Sequence, residues 1–142
     1  MFVPMKTLYT ASAVATGDGR NGHVQSTDGL VDTDVRTPTE LGGPGGATNP
    51  EQLFAAGYAA CFHSALKLVA GAEKADTTDS EVVADVSLGA NDSGGFGLAV
   101  QLEVTLPALD AATAQALVDK AHQVCPYSNA TRGNIEVTLT VA

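Results

Sequence analysis

The sequence predicts an α+β fold in a single domain over residues 1–142, with element order β-β-β-α-β-β-α-β and largely antiparallel sheets. Three observations predict it. Short runs of alternating apolar residues are separated by turn signals. Two longer apolar-rich segments carry helix start signals. Strand runs also follow one another without an intervening helix, which reads as hairpins and segregated helices. A length of 142 residues supports a hydrophobic core without staples. Tryptophan is absent and aromatic residues are 5% of the chain, so that core must be built mainly from Ala, Val and Leu.

The elements follow in order. Tyr9, Ala11, Ala13 and Ala15 alternate with polar neighbours, the pattern of a first strand. Gly17-Asp18-Gly19-Arg20-Asn21-Gly22 is a turn of residues that tolerate positive φ. His23–Ser26 is a short second strand, Asp28-Gly29 a second hairpin signal and Leu30–Val35 a third strand. Arg36–Asn49 is a long loop punctuated by Pro38, Gly42, Gly43, Pro44, Gly45 and Gly46; ordered loops of that length are often functional.

A helix then begins. Asn49 is a good N-cap, Pro50 suits the first helical position, Glu51 complements the helix dipole and Gln52 can close a capping box. The run Leu53–Leu68 is apolar nearly all round, which predicts burial on most sides and hints at a partner subunit covering one face. Gly71–Thr78 is a connection. Glu81–Leu88 places Val82, Ala84, Val86 and Leu88 on one face, and the run from Phe96 to Leu106 alternates most cleanly of all. Asp110 caps a second helix over Ala111–Val124, which ends at Cys125 because Pro126 disfavours helical geometry in the residue before it. Ile135–Val141 is the last strand.

Charge narrows the function classes. Sixteen acidic against seven basic residues give a net charge of -9, which repels a nucleic-acid backbone and an anionic membrane surface. Met1–Thr10 lacks a basic region followed by a long apolar one, and the Leu53–Leu66 run is too short to span a bilayer before Lys67. The expectation is a cytoplasmic protein.

The chemistry-bearing candidates begin with the two cysteines, Cys61 and Cys125. In a cytosolic chain they are either inert core residues or a redox pair. Cys61 sits mid-helix, where burial raises a thiol pKa and the distant helix N-terminus gives little help. A reactive Cys61 therefore needs a cation from elsewhere in the fold. Arg20, in the glycine-rich turn, is the most suggestive donor, with Arg36 and Arg132 as competitors. Glu51 is either a favourable charge at the helix start or a carboxylate that orients an arginine through a two-pronged bridge. Ten helical residues put it about 15 Å from Cys61 along the axis. A shared site would then need Arg20 as a bridge or a second chain as a contributor. Cys125, at a helix C-terminus, gains nothing from the dipole and suits a resolving role; otherwise it is a core residue. His23, His63 and His122 share no metal-ligand spacing with the cysteines, and no phosphate cradle or dinucleotide motif is present, so no metal or cofactor is expected.

Three separated segments carry a resemblance: Thr37-Pro38-Thr39-Glu40-Leu41-Gly42-Gly43, then the run from Thr48-Asn49-Pro50-Glu51-Gln52 to Ala59-Ala60-Cys61-Phe62, then Val124-Cys125-Pro126-Tyr127-Ser128-Asn129. In order and spacing these resemble the organic hydroperoxide resistance (Ohr) branch of the Ohr/OsmC family over nearly the whole chain. The resemblance implies an OsmC-like intertwined homodimer with two active sites at the subunit interface. It implies a peroxidatic role for Cys61, a resolving role for Cys125, a thiolate-holding role for Arg20 and an arginine-orienting role for Glu51. It further implies an organic hydroperoxide (alkyl or lipid) as substrate and a dihydrolipoyl group on a lipoylated protein as reductant. Phe54, Tyr58, Phe62 and Tyr127 are candidates for an apolar substrate lining. The rival class is a non-enzymatic dimer that binds an apolar ligand or senses redox state; a second rival is a general OsmC-like peroxidase of broader substrate use.

Overall fold

The computed structural model describes residues 4–142. Residues 1–3, part of the Met1–Thr10 segment read above for a leader, lie outside the described residues. The chain divides into two compact units, one ending at Pro50 and one comprising Glu51–Ala142.

The first unit is a three-stranded antiparallel sheet in the order β1-β2-β3, from β1 (Ala13–Thr16), β2 (His23–Ser26) and β3 (Asp32–Asp34). Thr16 pairs with His23, so the glycine-rich turn closes where the sequence predicts, around a 3₁₀ turn at Gly19–Asn21. Both outer strands are shorter than their alternating runs. β1 begins at Ala13 and not near Tyr9, and β3 stops at Asp34, after which Val35 makes a single parallel bridge to Thr48. The long loop contains a further 3₁₀ turn at Thr39–Leu41. Glycine is required where the loop folds back: a Cβ on Gly43 would lie 2.2 Å from the Thr37 carbonyl oxygen.

The second unit stacks helices on the sheet β4-β5-β6. α1 (Pro50–Ala72) starts at the predicted proline, and α2 (Ala111–Val124) has the predicted bounds, its N-cap Asp110 accepting from the Thr113 N–H. β4 (Glu81–Ala90) and β5 (Phe96–Thr105) form the long hairpin, and β6 (Glu136–Val141) closes the sheet. β5 buries Val100, Leu102 and Val104 on its inward face, together with Leu106 just beyond it. These join one core cluster with Tyr58, Phe62, Ala65, Leu66 and Ala70 of α1 and Ala114, Leu117, Val118 and Ala121 of α2. The α1 members recur at helical spacing and give that helix a core-packed stripe. By length and composition alone α1 is long and apolar enough to cross a membrane, since the helix extends well beyond the Leu53–Leu66 run on which the sequence reading was based. Its other faces leave apolar side chains such as Leu68 at 66% exposure.

Two features refine the predicted order. β6 runs parallel to β5, while the other strand pairings among the described residues are antiparallel. Parallel neighbours need a crossover connection, which the segment containing α2 provides. And Pro126 starts a short helix, α3 (Pro126–Thr131), as well as stopping α2.

Candidate functional site

Cys61 and Cys125 come together. Their sulfurs are 3.5 Å apart and both thiols are free, with Cys125 fully buried and Cys61 half-buried. Cys61 is placed by α1, on the flank of the stripe made by Tyr58, Phe62 and Leu66. Cys125 is placed by Pro126. With φ −60° and ψ 122° it is extended, as a residue before proline prefers, so it ends α2 and caps α3 at once. Its N–H donates to the Ala121 carbonyl of α2, and its sulfur accepts from the Ser128 N–H of α3 at 3.5 Å. Cys125 thus ends α2 as the sequence predicts, and its side chain also occupies the N-cap of α3, which the sequence reading did not foresee.

α3 is fastened to α1 by a buried hydroxyl network. Tyr58 Oη lies 2.8 Å from Ser128 Oγ and 3.1 Å from Thr131 Oγ1, and all three residues are buried. Each buried hydroxyl thereby has a partner, which such groups require. Immediately before Tyr58 on α1, Gly57 leaves room for the Tyr127 ring; a Cβ there would lie 3.1 Å from Tyr127 Oη. Tyr127 stacks on Phe54 at 5.8 Å and meets Tyr58 edge-on at 5.6 Å. These contacts set the Cys125–Tyr127 segment against Cys61.

The electrostatics of Cys61 follow from that packing. Burial pushes its thiol above the ordinary value of 9.0; the Tyr127 backbone N–H directed at its sulfur pulls it down, and the neighbouring Cys125 sulfur pushes it up again. Burial dominates, so Cys61 in these surroundings is held as a thiol. An open cleft of about 390 Å³ is lined by Cys61, Ser64, Ala65, Leu68, Val124 and Pro126.

The remaining predicted residues separate by location. Glu51 is in the first turn of α1, and Arg20 is in the 3₁₀ turn of the first unit; neither lacks an interaction partner. Phe54 and Tyr127 are partly exposed aromatics stacked on one another, whereas Tyr58 and Phe62 are fully buried core residues. His63 sits 2.9 Å from Ser80 Oγ, away from both thiols' hydrogen bonds. Among the described residues, no group of three or more His, Cys, Asp or Glu side chains is placed to hold a metal ion. Sequence reasoning missed the Tyr58–Ser128–Thr131 network and the role of Gly57. Pro126 read as a first helical residue would have revealed α3, and with it the hydroxyls that face α1.

Fold and site together define a class: an α+β protein in which two cysteines from separate helical segments meet as a free dithiol. The sequence matches the OsmC-like protein family over residues 43–140. A Xanthomonas axonopodis pv. citri protein named organic hydroperoxide resistance protein is 58% identical, with all of both chains covered. Organic hydroperoxide resistance protein OhrB of Bacillus subtilis is 50% identical over 93% of this chain and 96% of its own. The crystal structure of an organic hydroperoxide resistance protein from Elizabethkingia anophelis, 57% identical, superposes with a TM-score of 0.93 over 97% of this chain and 99% of that one. The chain belongs to the OsmC-like family, among its organic hydroperoxide resistance members.

Proposed function

We propose that the protein is a thiol peroxidase that reduces organic hydroperoxides to alcohols. The observation that carries this reading is the 3.5 Å separation of two free sulfurs, one of them on a residue that lines a cleft. A disulfide needs about 2.05 Å between sulfurs, so the pair can bond after a small adjustment. Dithiol peroxide chemistry requires that arrangement, and a pair of inert core cysteines does not.

The Cys61 thiolate attacks one peroxide oxygen. The O–O bond breaks, Cys61 becomes a sulfenic acid and the alkoxide takes a proton and leaves as the alcohol. The Cys125 thiol then attacks the sulfenic sulfur, releasing water and forming the Cys61–Cys125 disulfide. An external dithiol, for which we propose a dihydrolipoyl group, exchanges with that disulfide and leaves as its own disulfide. Because burial holds the Cys61 thiol up, the first step needs a cation. In our reading Arg20 supplies it and Glu51 orients Arg20, in a cytoplasmic homodimer. Support for these roles comes from the motif likeness. The apolar cleft walls Leu68 and Val124 and the rings of Phe54 and Tyr127 favour alkyl over hydrogen peroxide.

The test is peroxide consumption with a dihydrolipoamide reductant. Cys61→Ser abolishes turnover. Cys125→Ser consumes about one equivalent of cumene hydroperoxide and stops at a sulfenic acid that dimedone traps. Full turnover by Cys61→Ser, or multiple turnovers by Cys125→Ser with the same reductant, sinks the reading.

A further inference from the structure

The first unit holds a charged cluster that the proposed chemistry leaves unused. His23 stands directly opposite Asp34 in the β2–β3 register. Its Nδ1 lies 2.7 Å from Asp34 Oδ1, and its Nε2 lies 2.6 Å from Asp32 Oδ1. A neutral imidazole carries one N–H; it can donate to one carboxylate while its other nitrogen turns a lone pair on the second. Carboxylates at both nitrogens therefore select the imidazolium, in which both N–H groups donate. Those two hydrogen bonds, to Asp34 and then to Asp32, also raise the His23 pKa above 6.5. Asp34 turns its other oxygen towards Arg36 at 3.8 Å. Strand β1, on the other side of β2, brings no charged side chain.

This cluster closes the turn that carries Arg20. Thr16 and His23 pair at its base, with residues 17–22 between them. Immediately before His23, the Gly22 carbonyl accepts from Arg36 Nη1 at 2.9 Å and from the Val35 N–H at 3.0 Å. One residue earlier, Asn21 Oδ1 accepts from the Thr37 N–H at 3.0 Å. Every residue from Asn21 to His23 is thus tied to the segment 32–37, and Arg20 is the next residue back. Gly22 cannot move outward and admit a side chain, since a Cβ there would lie 2.2 Å from the Thr16 carbonyl oxygen.

We propose that His23, bridging Asp32 and Asp34 as an imidazolium, and Arg36, holding the Gly22 carbonyl, are positioning residues that fix the turn presenting Arg20. This rests on the reading of Arg20 as the cation of the Cys61 thiolate. It adds a pH dependence with a definite sign. The His23 charge is fully present below the ordinary histidine range and, its folded pKa being raised, is lost only as pH rises through that higher value. Above it one carboxylate faces a bare nitrogen, the base of the turn loosens and Arg20 is held less well. Alkaline pH, which should favour the thiolate, therefore also weakens its support.

The experiment follows Cys61 alkylation by iodoacetamide against pH, by mass spectrometry of the Cys61 peptide, in intact protein and in variants shown by circular dichroism to be folded. His23→Gln is expected to raise the Cys61 pKa by about half a unit, roughly a threefold loss of thiolate near neutral pH. His23→Arg, which keeps two donating N–H groups and its charge at all pH values, is expected to keep the near-neutral rate and remove the alkaline weakening. Proton NMR should place the His23 titration above 6.5, and Asp32→Asn should lower it and slow Cys61 alkylation; this arm stands even where His23→Gln does not fold. A wild-type alkylation profile in both His23→Gln and Asp32→Asn, with Arg20→Ala slowed, overturns the positioning role alone. Unchanged alkylation in Arg20→Ala overturns the Arg20 reading on which it rests.

Discussion

The segment ending at Pro50 and the segment from Glu51 onward are held by different forces. The later segment owns the core: every member of the buried cluster lies between Tyr58 and Cys125. In the earlier one, Val35 is the only large apolar side chain that is buried among the described residues, and Met5, Leu8, Tyr9, Val14, Leu30, Val31 and Leu41 are exposed. Its order comes from strand ladders and from polar ties such as His23 to its two aspartates and Arg36 to Gly22. Hydrogen bonds of that kind contribute modestly, because water competes for the same groups. So the two segments should fail in different ways. The later one can be broken by a hole in its core. The earlier one is sensitive to backbone geometry and to whatever covers its apolar side chains, for which we propose a second copy of the chain.

Substitutions can sharpen that contrast, the largest effect first. Phe62→Ala empties a fully buried site and should cost about 3–5 kcal/mol, read as a lower denaturation midpoint of the whole protein. A loss below about 1 kcal/mol would mean that α1 is less central to the core than its burial indicates. Gly22→Ala drives a methyl group into the Thr16 carbonyl and should cost about 1–3 kcal/mol, confined to the first unit. Hydrogen exchange should quicken in β1 and β2 while β5 stays protected; equal loss in both would erase the distinction. Leu8→Ser, at a residue 92% exposed, should lower the melting temperature by an amount equivalent to about 1 kcal/mol, more at low than at high protein concentration. A concentration-independent melt would argue that no second copy covers Leu8.

The sequence disclosed most where local chemistry decides the outcome. Asp110, Asn49 and Pro50 mark helix starts because capping satisfies groups that the helix itself leaves open, and α1 and α2 begin where those residues predict. Strand faces were equally plain: Val82, Ala84 and Val86 line the core side of β4 as their spacing requires. Less was visible where long-range pairing decides. Nothing local tells β6 to run parallel to β5; the connection through α2 and α3 allows it, and its second helix was hidden by reading Pro126 only as a stop. The site divides likewise. The two cysteines stood out by type and motif, but their 3.5 Å approach depends on Tyr58 reaching Ser128 and Thr131, 70 and 73 positions away. The raised Cys61 thiol was legible too, since burial disfavours a mid-helix thiolate, and the structure has the same direction and cause.

The sulfurs that nearly touch are 64 positions apart along the chain. Joining them would turn the stretch from α1 to the α2–α3 junction into a covalent ring. By the chain-entropy argument, a ring of that size withholds about 4 kcal/mol of disorder from the unfolded state. The oxidised protein should therefore outlast the reduced one under heat, denaturant and protease, and a melting curve becomes a gauge of how much of the population is spent. On the proposed cycle, the form that awaits its reductant would be the more durable of the two and would accumulate wherever reductant ran short.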